Sequence, residues 1–357
     1  MTAIRFAIVG TGWRTDFFLR IAQALPERFE VVGVMSRSAE RAAAVAQQWG
    51  VAGFTSVDDM LRDTSPSFLV LSVPRTVAPS LIRHAAERGV PVLTETPPAV
   101  DLDEALALWA ALPSDAIVQV AEQYHLSPLL SAQVAAARSG RLGEVSQAMV
   151  AQCHDYHGVS VMRRALGVGY EDAEITAAIF ESPLVTGPDR HGDPREEKRV
   201  TARQTTARFD FGDRLGVYDF AAEQYFSWIR GNRLLVRGDR GEVNDLELRY
   251  LKDYRTPVHT EFRRMDTGEG GNLEGKFLRG ILAGDEWFFS NPFMPARLND
   301  DEIAIARCLV GMAQRIDGGP DVYSLAEASQ DLYLSLLMKE AATNRRPLRS
   351  ERQPWAP

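Results

Sequence analysis

Cysteine is scarce in this chain, because only Cys153 and Cys308 occur among its 357 residues. Two cysteines this far apart do not make the dense disulfide framework that stabilises small secreted domains. The first residues lead directly into an apolar strand pattern, without the charged and apolar segments of a secretion signal. We therefore predict that the protein works in a reducing compartment, the cytoplasm.

Long apolar runs and an excess of basic residues are also missing. No apolar run approaches the roughly 20 residues of a transmembrane helix, so we predict no membrane insertion. The net charge is -8, and binding to nucleic-acid phosphates needs a basic surface, so we predict no nucleic-acid partner. The composition, 45% hydrophobic and 25% charged, is that of a globular protein, and its length is sufficient for two domains.

The N-terminus contains a β-turn-α pattern. An apolar strand pattern over residues 4–9 runs into Gly10-Thr11-Gly12, and a helical pattern follows over residues 17–25. In nucleotide-binding folds the first glycine allows a tight turn, and the second lets the backbone approach a pyrophosphate at the helix N-terminus. Thr15 stands where the third glycine of that fingerprint is usual. The pattern predicts dinucleotide binding.

The end of the second predicted strand bears on the choice of cofactor. Ser36 and Arg37 follow a strand pattern over residues 29–35, where enzymes that prefer NAD usually carry an acidic residue for the ribose hydroxyl. Arginine instead offers a fork of donors to a 2′-phosphate. We therefore predict NADP, with NAD as the alternative cofactor. The competing interpretation is a serine N-cap and a solvated arginine at the start of a helix over 39–49.

The order of the remaining patterns predicts two kinds of sheet. Strands and helices alternate up to a strand at residues 116–121, which is typical of a doubly wound parallel sheet. Beyond it, alternating segments such as 202–211 and 215–220 predict antiparallel strands. The fold class is therefore α/β, with a Rossmann domain followed by an α+β domain.

Domain boundaries follow from the change of pattern. We place the Rossmann domain at residues 1–124, the α+β domain at 125–342, and a tail with little to bury at 343–357. Polar residues over 187–198 and 266–275 predict exposed loops.

Several short segments resemble the Gfo/Idh/MocA oxidoreductase family, which includes glucose-fructose oxidoreductase and inositol dehydrogenase. They are Gly10-Thr11-Gly12, Glu95-Thr96-Pro97, Glu122-Gln123-Tyr124, His157 with the later Gly167, and Gly238-Asp239-Arg240-Gly241. The resemblance covers nearly the whole chain, and it implies a largely antiparallel open sheet in the second domain. It also implies NAD(P)-dependent hydride transfer on a sugar, sugar derivative or polyol, in a homo-oligomer with residues 202–220 near the interface of a dimer or tetramer.

Two residues that the family uses for catalysis are replaced. Family members read Glu-Lys-Pro where this chain has Glu95-Thr96-Pro97, and the hydroxyl of Thr96 is too weak an acid or base to replace a lysine directly. The family also has an aspartate four residues before a histidine that aligns with His157, and this chain has Cys153 there. The sequence therefore predicts an unusual catalytic site.

A cluster around His157 is the predicted source of acid and base groups. Histidine side chains in general titrate near neutral pH, and His157 is predicted to take a hydroxyl proton as hydride leaves carbon. His154 or Tyr156 is predicted to complete a relay, and the alternative is that these two cap a helix or pack a domain junction. The His-x-x-His spacing also suggests a metal site, but no second ligand cluster is evident, so we predict none.

Predicted ligand contacts lie after strands, where open α/β sheets bind their ligands. The predicted cofactor-binding residues are Gly10, Thr11, Gly12, Trp13, Arg14, Ser36, Arg37, Ser72, Pro74, Glu95, Thr96 and Pro97. The predicted substrate contacts are Glu122, Tyr124, His154, Tyr156 and His157, with Tyr124 equally suited to packing.

Three functions compete on this evidence. The leading hypothesis is an NADP(H)-dependent oxidoreductase for a sugar-like small molecule, with His157 as the acid or base. A redox-neutral lyase or glycosidase that keeps its nicotinamide bound is the second. A non-catalytic sensor or scaffold is the third, and the loss of the family's lysine and aspartate favours it.

Overall fold

The computed structural model describes residues 3–268 and 275–357, so most of the predicted loop at 266–275 lies outside the described residues. Contacts divide the chain into two compact units. The first comprises residues 1–128, 265–280 and 291–329, and the second comprises residues 129–264, 281–290 and 330–357. Nowhere in the described chain does a helix have the length and apolarity needed to cross a membrane.

The helices are α1 (Trp13–Ala24), α2 (Ala39–Trp49), α3 (Val57–Thr64), α4 (Ala78–Ala86), α5 (Leu102–Ala111), α6 (Pro128–Arg138), α7 (Asp155–Leu166), α8 (Asp300–Ile316) and α9 (Leu325–Asn344), with short 3₁₀ turns at Tyr124–Leu126 and Ala222–Gln224. The strands are β1 (Ile4–Val9), β2 (Phe29–Met35), β3 (Gly53–Phe54), β4 (Phe68–Leu71), β5 (Val92–Thr94), β6 (Val118–Val120), β7 (Val145–Ala151), β8 (Glu174–Val185), β9 (Arg199–Asp210), β10 (Leu215–Ala221), β11 (Arg233–Gly238), β12 (Gly241–Asn244), β13 (Glu247–Asp253), β14 (Thr256–Thr267), β15 (Phe277–Ala283), β16 (Glu286–Ser290) and β17 (Leu348–Arg349).

The first unit is built on a six-stranded sheet in the order β3-β2-β1-β4-β5-β6. Its strand pairs are parallel, and the side chains of β4 are all buried. Near-continuous apolar strands are what a parallel sheet covered by helices requires. The order reverses between β1 and β4, which in such sheets opens a crevice at the carboxyl ends of the strands. The predicted Rossmann fold is confirmed.

Most elements of this unit lie close to their predicted bounds, and two differences have local causes. Helix α1 begins at Trp13 instead of residue 17, because Gly12 already has the extended conformation of an N-cap. Most residues of its first turn are polar, so the apolar periodicity that predicts a helix starts only later. Strand β3 was not predicted, since two residues are too few to show an alternation.

The second unit is organised on an eleven-stranded sheet in the order β16-β15-β14-β13-β12-β11-β7-β10-β9-β8-β17. Among the strand pairs described residue by residue, β7 and β10 are parallel and the others in this sheet are antiparallel. Helix α7 covers β7 and β10, as the buried residues along its length show. The predicted α+β domain with a largely antiparallel sheet is confirmed.

Helix α8 belongs to the first unit, although its sequence position suggested the second domain. Asn299 and Glu302 form a capping box at its start, and the buried Glu302 carboxylate receives a hydrogen bond from Arg20 of α1 at 2.7 Å. This ion pair joins residues 282 positions apart, so no local pattern reveals it.

The C-terminal residues also differ from the expected loose tail. Strand β17 pairs with β8, and Trp355 is buried, with its indole N–H donating to Gln330 Oε1 at 2.9 Å. One tryptophan in a polar stretch gives no periodic signal, which is why the sequence suggested a segment with little to bury.

Candidate functional site

The turn after β1 is shaped by two glycines with different roles. Gly10 has φ 121°, and a Cβ built there would lie 2.0 Å from the Ser72 carbonyl oxygen, so a side chain cannot be accommodated. Gly12 is the N-cap of α1, and a Cβ there would meet open space. The first amide groups of α1 therefore face a position that an anion can approach.

Thr15 replaces the third glycine and ties this turn together. Its side chain is buried, and its hydroxyl lies 3.1 Å from the Gly10 carbonyl oxygen and 3.1 Å from Ser72 Oγ. A glycine would allow close packing here, but threonine instead holds α1 against the ends of β1 and β4 by hydrogen bonds.

A cavity of about 580 Å³ lies beside this turn. It brings together these residues from the predicted cofactor set: Gly10, Thr11, Gly12, Trp13, Arg14, Ser36, Arg37, Ser72, Pro74 and Glu95. Thr96 and Pro97 are not among the lining residues. The cavity is also lined by residues that were not predicted from the sequence to bind the cofactor: Val9, Met35, Arg41, Val73, Val77 and Leu81.

The end of the cavity after β2 is basic. Arg37 and Arg41 are both exposed and both line it. The Ser38 hydroxyl accepts a hydrogen bond from the Arg41 backbone N–H, so Ser38 is the N-cap of α2. Ser36 and Arg37 precede this N-cap and line the cavity. Arg41 lies in the first turn of α2, shortly after the predicted residues Ser36 and Arg37, and a basic residue at that place could have marked it.

The opposite part of the cavity has an acidic residue, Glu95, which follows β5. Among the described lining residues it is the only carboxylate. Arg14 Nε lies 3.4 Å from Glu95 Oε1, and its guanidinium lies over the rings of Trp13 and Phe17 at 5.3 and 5.1 Å. Arg14 is thus shared between Glu95 and two aromatic rings, which fixes its position at the cavity wall.

Behind this wall lies a buried group of polar residues. Burial raises the pKa of the Cys308 thiol, and the nearby carboxylates of Glu95 and Glu122 raise it further. Burial likewise raises the pKa of Asp301, although the positive charge of Arg14 opposes that rise. Cys308 is therefore kept as a neutral thiol, without the thiolate that a nucleophile needs.

The predicted substrate contacts Glu122 and Tyr124 do not line the cavity. Glu122 is fully buried, and its Oε1 accepts a hydrogen bond from the Tyr124 backbone N–H at 3.2 Å. The carboxylate thus holds the turn at Tyr124–Leu126, and its burial leaves no surface for a substrate.

The histidine cluster lies in the second unit, at the start of α7. The helix begins at Asp155, so His157 lies in its first turn. Asp155 has φ 37°, and its backbone N–H donates to the Tyr218 hydroxyl at 2.8 Å. The Asp155 carboxylate pairs with Lys339 of α9 at 2.9 Å. These contacts hold an uncommon backbone conformation in place.

Four rings meet at this turn. The His154 and His157 rings are 4.9 Å apart, edge to face, and the Tyr156 and His157 rings are 5.2 Å apart. The Tyr225 hydroxyl lies 2.5 Å from His154 Nδ1. Tyr156 is buried, whereas His154 is exposed and His157 is half-buried. The two histidines are therefore the rings of the cluster that are accessible to solvent.

Cys153, which replaces the family's aspartate, is fully buried. It cannot reach a ligand in solution without movement of the turn. Across the residues that the structure describes, no group of three or more His, Cys, Asp or Glu side chains is arranged to hold a metal ion. Tyr225, Tyr218 and Lys339 were not singled out from the sequence, because each lies far along the chain from the histidines.

Comparisons with known proteins give sequence matches over part of the chain and structural matches over nearly all of it. Residues 4–122 match the model of an oxidoreductase family with an NAD-binding Rossmann fold, GFO_IDH_MocA. A scyllo-inositol 2-dehydrogenase (NADP(+)) of Bacillus subtilis is 32% identical over 116 residues, which cover 32% of this chain and 35% of that protein. An uncharacterised oxidoreductase of Schizosaccharomyces pombe is 30% identical over 152 residues, 41% of each chain. The matches thus span about two fifths or less of the curated relatives' length.

Solved structures extend the similarity in fold to almost the whole chain. Levoglucosan dehydrogenase in complex with NADH has a TM-score of 0.69 at 14% identity, covering 98% of this chain and 100% of that chain. A myo-inositol dehydrogenase from Corynebacterium glutamicum has a TM-score of 0.67 at 18% identity, with the same coverage. At these identities the similarity establishes the fold alone.

Proposed function

We propose that this chain, whose residues 4–122 match the model of the Gfo/Idh/MocA oxidoreductase family, is an NADP(H)-dependent oxidoreductase acting on a sugar, sugar derivative or polyol. One observation supports NADP over NAD: Arg37 and Arg41 line the cavity after β2, where Ser36 takes the place of an acidic residue. Guanidinium groups bind a 2′-phosphate, whereas a carboxylate there would repel it.

The residues of the first unit fit a dinucleotide. Gly10 closes a turn that a side chain would obstruct, and Gly12 leaves open space before the N-terminus of α1. These amide groups would hold the pyrophosphate, and Arg37 with Arg41 would hold the 2′-phosphate. The bound cofactor would supply the hydride chemistry. The protein supplies the position of the cofactor, and Glu95 and Arg14 form the wall beside it.

The proposed substrate class rests on what similar proteins act on. A scyllo-inositol 2-dehydrogenase, a myo-inositol dehydrogenase and a levoglucosan dehydrogenase are named for hydroxylated rings. A secondary alcohol on such a ring must lose both a hydride and a hydroxyl proton when it is oxidised. The second group needed is therefore an acid or base that works near neutral pH.

We assign that proton to His157, with His154 and Tyr156 as its neighbours. His157 is half-buried in the first turn of α7 and lies between the rings of the other two residues. Histidine is the side chain most often used as a general acid or base in such proton transfers. The buried Tyr156 supports the His157 ring from its side.

The test of the cofactor assignment is a binding titration. We expect NADPH to bind the purified protein about 5- to 30-fold more tightly than NADH, because a lost phosphate contact costs about 1 to 2 kcal/mol. The fluorescence of the reduced nicotinamide measures both affinities at fixed ionic strength. Equal affinities would contradict the assignment, and no binding of either cofactor would contradict the proposed function.

Two further proposals accompany the activity. We place the enzyme in the cytoplasm, a location supported by the free, buried thiols of Cys153 and Cys308. We also propose a homo-oligomer, a dimer or tetramer, with residues 202–220 near the interface. Exposed apolar side chains such as Phe180 and Trp228, at 63% and 67% exposure, support a protein contact on the second unit.

A further inference from the structure

Tyr225 makes two contacts with one residue, His154. Its hydroxyl oxygen lies 2.5 Å from His154 Nδ1, and the same oxygen accepts the His154 backbone N–H at 3.0 Å. Both contacts join residues that are 71 positions apart in the sequence. Tyr225 therefore holds the backbone and the ring of His154 together.

This double contact bears on where His154 carries its proton. A backbone N–H can only donate, so it uses one lone pair of the phenol oxygen. The second lone pair is the one that a protonated Nδ1 would use, whereas the phenol O–H donates to Nδ1 when Nδ1 is unprotonated, and this second arrangement is the one we take up. In neutral His154 the ring proton is then on Nε2, which makes Nε2–H the donor that the ring presents.

Tyr225 is itself firmly placed. The preceding residue, Gln224, donates from its side chain to the Ala151 carbonyl at 2.7 Å and to the Gly231 carbonyl at 2.9 Å. The Tyr225 ring packs edge-on against Phe220 with centroids 5.0 Å apart. The hydroxyl is thus fixed by the end of β7 and by the segment before β11.

Several charged and titratable residues lie near His154. Asp155 is paired with Lys339, and Glu223 stands two residues before Tyr225 in the 3₁₀ turn. Burial raises the pKa of Tyr218, with the Asp155 carboxylate adding to the rise, so Tyr218 remains a neutral phenol. His157, whose ring centroid lies 4.9 Å from that of His154, is the neighbour on α7.

We propose that Tyr225 is a positioning residue that fixes His154 as its Nε2–H tautomer, so that His154 donates a hydrogen bond to the substrate oxygen while His157 exchanges the proton. This rests on the proposed function. No bond is formed or broken by His154, since the hydride and proton moves are those of alcohol oxidation with the nicotinamide as the oxidant.

The first test does not depend on activity. In the full-length protein labelled with ¹⁵N-histidine, the His154 resonances are assigned by their absence in His154→Gln. We expect a single tautomer with Nε2 protonated and Nδ1 accepting a hydrogen bond. In Tyr225→Phe, Nδ1 loses that hydrogen bond and a population with the proton on Nδ1 appears. A protonated Nδ1 in the neutral natural protein, or identical spectra for the two proteins, would overturn the proposal.

The second test separates a donor role from a packing role. His154→Gln can place an amide N–H near the Nε2 position, whereas His154→Asn places its amide near Nδ1. We expect Asn to lower turnover by about 10²- to 10³-fold, the usual effect of losing such a donor, and Gln to restore at least part of it. Equal losses in both variants would overturn the donor assignment.

Tyr225→Phe should lower turnover by about ten- to a hundredfold, as loss of an orienting partner does, with an unchanged dissociation constant for NADPH. Tyr254→Phe, at a tyrosine that is 75% exposed in the same unit, serves as the matched control and should be unchanged. Full activity of Tyr225→Phe would overturn the proposal. Absence of any turnover in the natural protein would instead count against the proposed function, and the NMR result would still decide the tautomer.

Discussion

Reversal of one charge tests how the cofactor is chosen. In Arg37→Asp, a carboxylate replaces a guanidinium at the cavity end formed by Ser36, Arg37 and Arg41. The 2′-phosphate of NADPH loses one cation and gains a repulsive neighbour, whereas the ribose of NADH gains the acidic partner that NAD-binding sites usually provide. The two affinities should therefore change in different directions or to different extents.

The size of the effect follows from exposure. Both arginines are exposed, so water and salt weaken each contact relative to a buried charge pair. We expect Arg37→Asp to weaken NADPH binding by about 1 to 3 kcal/mol, which is roughly 5- to 150-fold. Arg41→Ser, which removes a cation without reversing charge, should cost about 1 kcal/mol. The double variant should cost less than the sum, because both side chains share one phosphate.

The assay is a fluorescence titration of each variant with NADPH and with NADH at two salt concentrations. Arg62→Ser is the matched control, since Arg62 is an exposed arginine in the same unit that binds Asp59 and Asp63 and does not line the cavity. We expect it to leave both affinities unchanged. Equal losses of NADPH and NADH binding in Arg37→Asp would refute the reasoning that Arg37 recognises the phosphate.

Three further predictions concern catalysis, stability and assembly. In steady-state kinetics, His157→Gln should keep NADPH affinity but lower turnover by about 10² to 10⁴, and Thr96→Lys should not raise turnover. Unchanged turnover in His157→Gln together with higher turnover in Thr96→Lys would contradict the histidine assignment. Asp331→Ala should lower the free energy of unfolding by about 3 to 5 kcal/mol in a denaturant titration, because it leaves the buried Arg163 without its carboxylate partner at 2.6 Å. Glu181→Ala, which removes the exposed ion pair with Arg203, is the control, and equal losses in the two variants would argue against the burial effect. Light scattering should give the mass of a dimer or tetramer, and a monomer at micromolar concentration would reject the oligomer.

The sequence predicted the elements whose signals are local. β1, β2 and α2 have the predicted bounds, because alternation, apolar runs and caps lie within each segment. The turn at Gly10 was likewise readable, since only glycine tolerates that backbone conformation so close to the Ser72 carbonyl. The family resemblance added the arrangement of the second sheet, which no single segment specifies.

What could not be predicted depends on residues that are distant in sequence. Arg20 and Glu302, whose ion pair joins α1 to α8, are 282 positions apart, and Tyr225 reaches His154 across 71 positions. Arg163 lies on α7 next to a second arginine, Arg164, yet it is buried and paired with Asp331 of α9. Such partners appear only once the fold brings their elements together.

We propose that this protein transfers hydride between a hydroxylated ring and NADP. The decisive measurement uses inositols and pyranoses deuterated at their ring carbons, incubated with the protein and NADP⁺, and follows both the absorbance of reduced nicotinamide and the mass of the recovered cofactor. We expect NADPH that carries one deuterium to accumulate, together with a ketone product, for at least one ring. Binding of NADPH without any such transfer, or a cleaved product with no net reduction of NADP⁺, would contradict it.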